Sequence, residues 1–261
     1  MMKLIIVCVI FATIFGLTIG YPTPVEKDPE QGNYFEGDID LSEEQKLAIE
    51  GKSRNGLIAD QYRWPDRNVY YKFAEGQFDG PHKNHVLRGM QILEEASCIR
   101  FIPANETIKT FIEITSQPTG CHSAVGFQNG KQNVNFQNYE LDKGCFRLAT
   151  IVHEFLHSLG FYHQQSASDR DEFVKIAFEN IQSGMEHNFN IYNSSVVDDF
   201  GIEYDYGSVM HYGPTAFSKN GEKTIIPILD EDAEIGQRRG MSSKDIYKLN
   251  IMYKCPIQTR L

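Results

Sequence analysis

Basic residues are the minority charge in this 261-residue chain: 25 Lys and Arg stand against 35 Asp and Glu, a formal charge of −10. A nucleic-acid binder needs a basic face to neutralise phosphates, so that class is set aside. Long hydrophobic runs are also scarce. Only residues 4–19 approach the length of a bilayer span, and no second stretch does, so no membrane association is expected of the mature chain. Cysteine is sparse, with five in all and no Cys-x-x-Cys spacing, which argues against a thiolate zinc site. No internal repeat and no low-complexity tract is present. What remains, 41% apolar and 23% charged residues, is the composition of a globular chain rather than a disordered one.

The N-terminus supplies a compartment. Met1-Met2-Lys3 precedes the apolar run, and Thr18 and Gly20 offer small residues at the −3 and −1 positions of a cut. Tyr21-Pro22-Thr23-Pro24 then breaks any helix, and no basic stop follows, so 1–20 reads as a secretory signal peptide. Cys8 leaves with it, and the remaining Cys98, Cys121, Cys145 and Cys255 permit three pairings. An even count in an exported chain favours disulfides. Asn105 and Asn193 head Asn-x-Ser/Thr sequons and are candidate glycan sites. Residues 21–54 carry nine acids against four bases, lack a long apolar face and end in Lys52-Ser53-Arg54, a basic cleavage signal. They read as a unit separate from a catalytic or binding body at 55–261. In that body the patterning predicts strands at 68–73, 100–102, 110–115, 123–127 and 133–136. It predicts helices at 82–97 and 146–159, and a last one after the Ser242-x-x-Asp245 cap.

The chemistry concentrates in Ile151-Val152-His153-Glu154-Phe155-Leu156-His157-Ser158-Leu159-Gly160-Phe161-Tyr162-His163. Leu148, Ile151, Val152, Phe155 and Leu159 recur at helical spacing and predict one buried face. His153 and His157, four apart, stack one turn from each other and can share one ion. Glu154 sits about 100° further round, where it flanks the ion instead of ligating it. Gly160 allows the sharp turn that returns His163 as a third ligand. Three imidazoles leave an open coordination position, the arrangement of a catalytic zinc. In a chain of this composition His-Glu-x-x-His arises by chance roughly once in 50 sequences; adding Gly160 and His163 makes that roughly once in 20,000, so a coincidence of solvated histidines is a poor explanation. The expected reaction is metal-assisted amide hydrolysis, with Glu154 as general base toward a water that the metal activates.

This stretch resembles the metzincin metalloproteases, and more narrowly the astacin family. Ser208-Val209-Met210-His211-Tyr212 is similar to the family's Met-turn: Met210 takes the place beneath the zinc, and Tyr212 that of the tyrosine that serves as a further zinc ligand and stabilises the transition state. Phe35-Glu36-Gly37-Asp38-Ile39 resembles the propeptide signature whose aspartate ligates zinc and silences the zymogen, here Asp38. Arg54 and Asn55 fit the activation cleavage, made by a trypsin-like protease. Trp64-Pro65, residues 213–218, Ile235-Gly236-Gln237-Arg238 and Asp245-Ile246 extend the likeness over about 35–255.

The resemblance implies an α+β, two-lobed catalytic domain. Its upper lobe would hold a twisted, mostly parallel sheet with two helices, and its irregular lower lobe a C-terminal helix. It implies one Zn²⁺ per subunit, the disulfides Cys98–Cys255 and Cys121–Cys145, protein or peptide substrates bound by β-augmentation near 121–127, and a short secreted monomer made of propeptide and catalytic domain alone. Two positions depart from the family pattern. Gln164 stands where a glutamate receives the new N-terminal ammonium, and Ala167 where an arginine is common. They leave the zinc chemistry untouched but weaken the expected anchoring of the mature N-terminus. The alternative that these departures motivate is a secreted, non-catalytic metal-binding or interaction protein retaining the fold, and the intact Glu154 opposes it. Another three-histidine zinc enzyme, such as a hydratase, is disfavoured by the ligand spacing and the Met-turn.

Overall fold

A computed structural model describes residues 28–49, 60–192 and 198–256. The expected signal peptide, the cleavage pair Arg54 and Asn55, and the Asn193 sequon lie outside the described residues. The chain runs through strand β1 (Ile39–Asp40), helix α1 (Glu43–Ile49), strand β2 (Asn68–Phe73), helix α2 (Gly80–Ala96), and strands β3 (Arg100–Pro103), β4 (Phe111–Thr115), β5 (Cys121–Ala124) and β6 (Lys131–Phe136). Helix α3 (Leu148–Ser158), strands β7 (Val174–Ile176) and β8 (Ile225–Pro227), and helix α4 (Ser243–Met252) complete it.

The upper lobe is a six-stranded sheet in the order β1-β5-β6-β4-β2-β3. All its pairs are parallel except β5 with β6. Helix α2 starts at Asp79, whose carboxylate accepts the His82 N–H at 2.8 Å, with Pro81 in the first turn where no amide bond is lost. It crosses α3 at a glycine: a Cβ on Gly89 would lie 2.4 Å from Ile151 Cγ2. Val86, Met90, Leu93, Ile112, Ile114, Phe136 and Phe155 fill the core between sheet and helices. β5 ends at Ala124 instead of reaching Phe127, because Gly126 takes a positive φ and its N–H bonds the His157 carbonyl.

Among the described residues the lower lobe holds the antiparallel pair β7–β8, several single 3-10 turns and α4; β7 and β8 pack on a second core that includes Ile181, Phe189, Tyr204, Phe217 and Ile225, while α4 packs on the first. α4 carries the expected cap: Ser242 Oγ accepts the Asp245 N–H, and Asp245 accepts the Ser242 N–H. Its inner face is Leu249, Met252 and Tyr253, while Ile251 faces outward. Cys98 bonds Cys255 and Cys121 bonds Cys145, which resolves the three pairings as the resemblance implied. A third, small core joins Ile39 and Leu41 to Tyr62, Val125, Tyr162 and Tyr192, so the acidic N-terminal segment is packed onto the body.

Candidate metal centre

α3 was expected to bury one face. All but its first residue is buried, because the segment 28–49 and the loop 208–212 cover the side that carries the histidines. His153 and His157 project from it one turn apart. Gly160, at φ 107°, ends the helix and turns the chain so that His163 comes back to the same point. His153 Nε2 lies 3.0 Å from His157 Nε2 and 3.3 Å from His163 Nε2. Asp38 adds its carboxylate, 3.3 Å from His153 Nε2, 3.5 Å from His157 Nε2 and 3.3 Å from His163 Nε2.

The other ring nitrogens fix the tautomers. His153 Nδ1 donates to the Val209 carbonyl and His157 Nδ1 to the Phe161 carbonyl, each at 2.8 Å. His163 Nδ1 donates to Glu36 Oε2 at 2.8 Å. A carbonyl can only accept, so the proton of a neutral ring stays on Nδ1 and the Nε2 lone pairs face one another. Lone pairs and a carboxylate brought this close repel unless a cation sits among them, and a donor set of three imidazoles and one carboxylate suits zinc. Burial alone would lower His163, but the negative charges of Asp38 and Glu36 outweigh it and raise it to about 9, so a proton competes with a cation for its Nε2. Burial dominates at His153 and lowers it to about 4. Opposing its own burial, Asp38 is held well below the usual carboxylate range by His163 and by its bonds to the three rings.

Glu154 is fully buried, and among the described residues neither of its oxygens has a hydrogen-bond partner. Burial, then the charges of Asp38 and Glu30, push its pKa well above the ordinary range. Tyr212 OH donates to the Glu36 carbonyl, and its ring centroid lies 4.6 Å from that of His163. Met210 is buried, and its carbonyl accepts the Gln164 N–H at 2.9 Å. Asn105 lies on an exposed loop, where its side chain accepts the Thr107 N–H at 3.0 Å.

Several groups at the centre have partners for which the sequence carried no signal. Glu36 accepts from His163, from Ser166 Oγ at 2.6 Å and from Tyr192 OH. Glu30 is buried against Arg238, whose Nε donates to its two oxygens at 3.1 and 2.9 Å, and against Thr150 Oγ1 at 2.7 Å. Gln164, which stands where the family pattern has a glutamate, accepts from Lys248 Nζ at 2.9 Å. The pair lines a cavity with Arg63, Ala167 and Asp199. Glu36 stood inside a quoted motif but without a partner; the partners of Glu30 and Gln164 lie 208 and 84 residues away.

Comparison with known proteins gives this geometry a family. The family model described as Astacin (Peptidase family M12A) matches residues 57–254. Seminal metalloprotease 1 of Drosophila melanogaster is 42% identical over 251 residues, 95% of this chain and 97% of that protein. Meprin A subunit beta of Rattus norvegicus is 39% identical over 264 residues, 94% of this chain but only 35% of that longer protein. Among solved structures, high choriolytic enzyme 1, a hatching enzyme zinc-protease from Oryzias latipes, superposes with a TM-score of 0.67 at 34% identity, over 74% of this chain and 94% of that one. The chain belongs to the astacin family of zinc metalloendopeptidases.

Proposed function

We propose that this chain is made as a secreted zymogen whose processed form cleaves peptide bonds in proteins or peptides. One observation carries the reading: residues 28–49 lie across the cleft and deliver Asp38 into the histidine cluster. His153, His157 and His163 hold the zinc, and Asp38 is a fourth ligand in the precursor. When bound, zinc supplies a Lewis acid for the scissile carbonyl and lowers the pKa of water toward about 7. Glu154 is the general base. Its oxygens, committed to no other group, take the proton of the attacking water and give it to the leaving amine. Tyr212, tied to the Glu36 carbonyl in the precursor, regains a free hydroxyl when the segment leaves and donates it to the oxyanion. Met210 supports the cluster from the loop beneath it.

The parts follow from this. Residues 1–20 direct export, 21–54 form the propeptide, and 55–261 form the catalytic domain. A trypsin-like protease cuts between Arg54 and Asn55, and the product acts as a monomer. β1 pairs with β5, so removing the propeptide frees that sheet edge for a substrate strand. Two disulfides and an exposed Asn105 sequon suit an extracellular glycoprotein.

The processed Glu154→Gln variant tests the reading. It is expected to retain one zinc per chain and to lose about 10²–10⁴-fold in kcat on a peptide substrate. Equal turnover by the two forms would remove Glu154 from the mechanism. A wild-type protein without stoichiometric metal would remove the mechanism altogether.

A further inference from the structure

One ring on β5, the strand that β1 covers, takes no part in the chemistry above. His122 is 4% exposed, flanked in sequence by Cys121, which is bonded to Cys145, and by Ser123. Its ring lies flat on Tyr34 of the propeptide segment, centroids 3.8 Å apart and planes inclined by 24°. Its Nε2 lies 3.1 Å from Thr119 Oγ1, an oxygen that already accepts from Asn135 Nδ2 at 3.3 Å. Nε2 is engaged by that hydroxyl, which can donate to it or accept from it, and Nδ1 is the ring's other polar atom. That Nδ1 is buried and has no hydrogen-bond partner among the described residues. Burial keeps the ring neutral, lowering it to about 4 against the pull of Asp38.

The position of this ring matters because of what passes over it. Ile39 and Asp40 pair with Ser123 and Ala124, and the Asp38 carbonyl accepts the Ser123 N–H at 2.8 Å. A strand laid on β5 thus crosses His122 at the same place where it meets the metal centre. The propeptide reaches the ring by doubling back. Phe35 and Ile39 exchange N–H···O bonds of 3.1 and 2.9 Å, Gly37 N–H bonds the Tyr34 carbonyl at 3.0 Å, and Tyr34 is returned onto His122. Departure of the propeptide uncovers a flat aromatic face whose Nδ1 has no hydrogen-bond partner among the described residues.

We propose that His122 forms a substrate subsite for an aromatic side chain, which Tyr34 occupies in the precursor. The proposal rests on the reading of 21–54 as a removable propeptide. Offset stacking of two rings favours Tyr or Phe over an aliphatic side chain of similar size, and the unpartnered Nδ1 offers a polar anchor to a phenolic hydroxyl. The substrates selected are polypeptides with an aromatic residue beside the cleaved bond.

The experiment is a cleavage-site profile of the processed protein on a peptide library, read by mass spectrometry, for wild type, His122→Phe and His122→Ala. Zinc content is measured on each. The wild type is expected to enrich Tyr and Phe at one position near the scissile bond. His122→Phe keeps that enrichment. His122→Ala loses it, with kcat/KM for a matched aromatic peptide falling about two- to tenfold while its leucine counterpart is unchanged. The wild-type profile decides even if the alanine variant fails to fold: an active enzyme with no aromatic preference overturns the subsite and leaves the protease reading intact. Zinc-loaded processed protein that cleaves nothing overturns both, whereas an aromatic preference undiminished in His122→Ala overturns the subsite alone.

Discussion

Glu36 offers one carboxylate to His163 Nδ1, Ser166 Oγ and Tyr192 OH, all inside the protein. An acceptor of this kind orients a metal-binding imidazole and raises its basicity, and removing one typically costs about 10–100-fold in metal affinity. Here the acceptor belongs to the N-terminal segment. The precursor is therefore expected to hold zinc more tightly than the processed form, beyond what Asp38 adds. Glu36→Gln in the precursor should weaken zinc by about 10–100-fold in a chelator competition; an unchanged affinity would show that Glu36 merely fills space. At this scale the sequence was legible where partners are close along the chain. His153, His157 and His163 span eleven residues, and helical spacing with one glycine is enough to bring them together. Glu36 and Lys248 were not legible, because their partners His163 and Gln164 lie 127 and 84 residues off and only the fold joins them.

Among the elements, α4 shows how a cap can serve two structures. Asp245 completes the box with Ser242 and also accepts from Ser208 Oγ at 2.6 Å and from the Val209 N–H at 2.9 Å. The Val209 carbonyl in turn accepts from His153 Nδ1. A rigid line thus runs from the start of α4 through the loop 208–212 to the metal centre. Asp245→Ala leaves a buried hydroxyl and a buried amide without acceptors besides losing the cap. By ordinary magnitudes this costs about 2–4 kcal/mol, or a fall in Tm of roughly 5–15 °C. Calorimetry on the processed protein measures it, and a shift under about 2 °C would mean that water replaces the carboxylate. The cap itself was readable from Ser242-x-x-Asp245; its second task was not, since nothing local distinguishes a capping aspartate from one that also braces a distant loop. The same reason let the end of β5 be read three residues too far along. Its end is set by the Gly126 N–H finding a carbonyl on α3, outside any pattern along the strand.

Across the whole molecule, the N-terminal segment is held at several separate points, whereas the sequence assigned its hold to Asp38. Ile39 and Leu41 enter a core of their own, Gln45 Nε2 donates to the Val125 carbonyl at 2.7 Å, and Glu30 meets Arg238 from the lower lobe. Loss of Asp38 alone leaves these contacts in place. The Glu30–Arg238 pair is the one whose strength can be set by pH. Burial pushes Glu30 upward, but the Arg238 guanidinium, the charge of His153 and the Thr150 bond outweigh it and lower it to about 2, against an ordinary value of 4.5. A carboxylate depressed on folding contributes stability that is complete above its unfolded value and is lost as pH falls through its folded one. The window here runs from about 4.5 down to about 2. Glu30→Gln leaves Arg238 buried without its counter-charge, which costs about 3–5 kcal/mol where the pair is formed. Urea midpoints of wild-type and Glu30→Gln precursors should therefore differ widely at pH 7, and converge as the pH falls through about 2, below which the wild-type carboxyl is neutral too. A gap that persists unchanged at the acid end would mean that the carboxylate charge is not what binds the segment to the lower lobe, and that shape and the β1–β5 pairing carry the attachment instead.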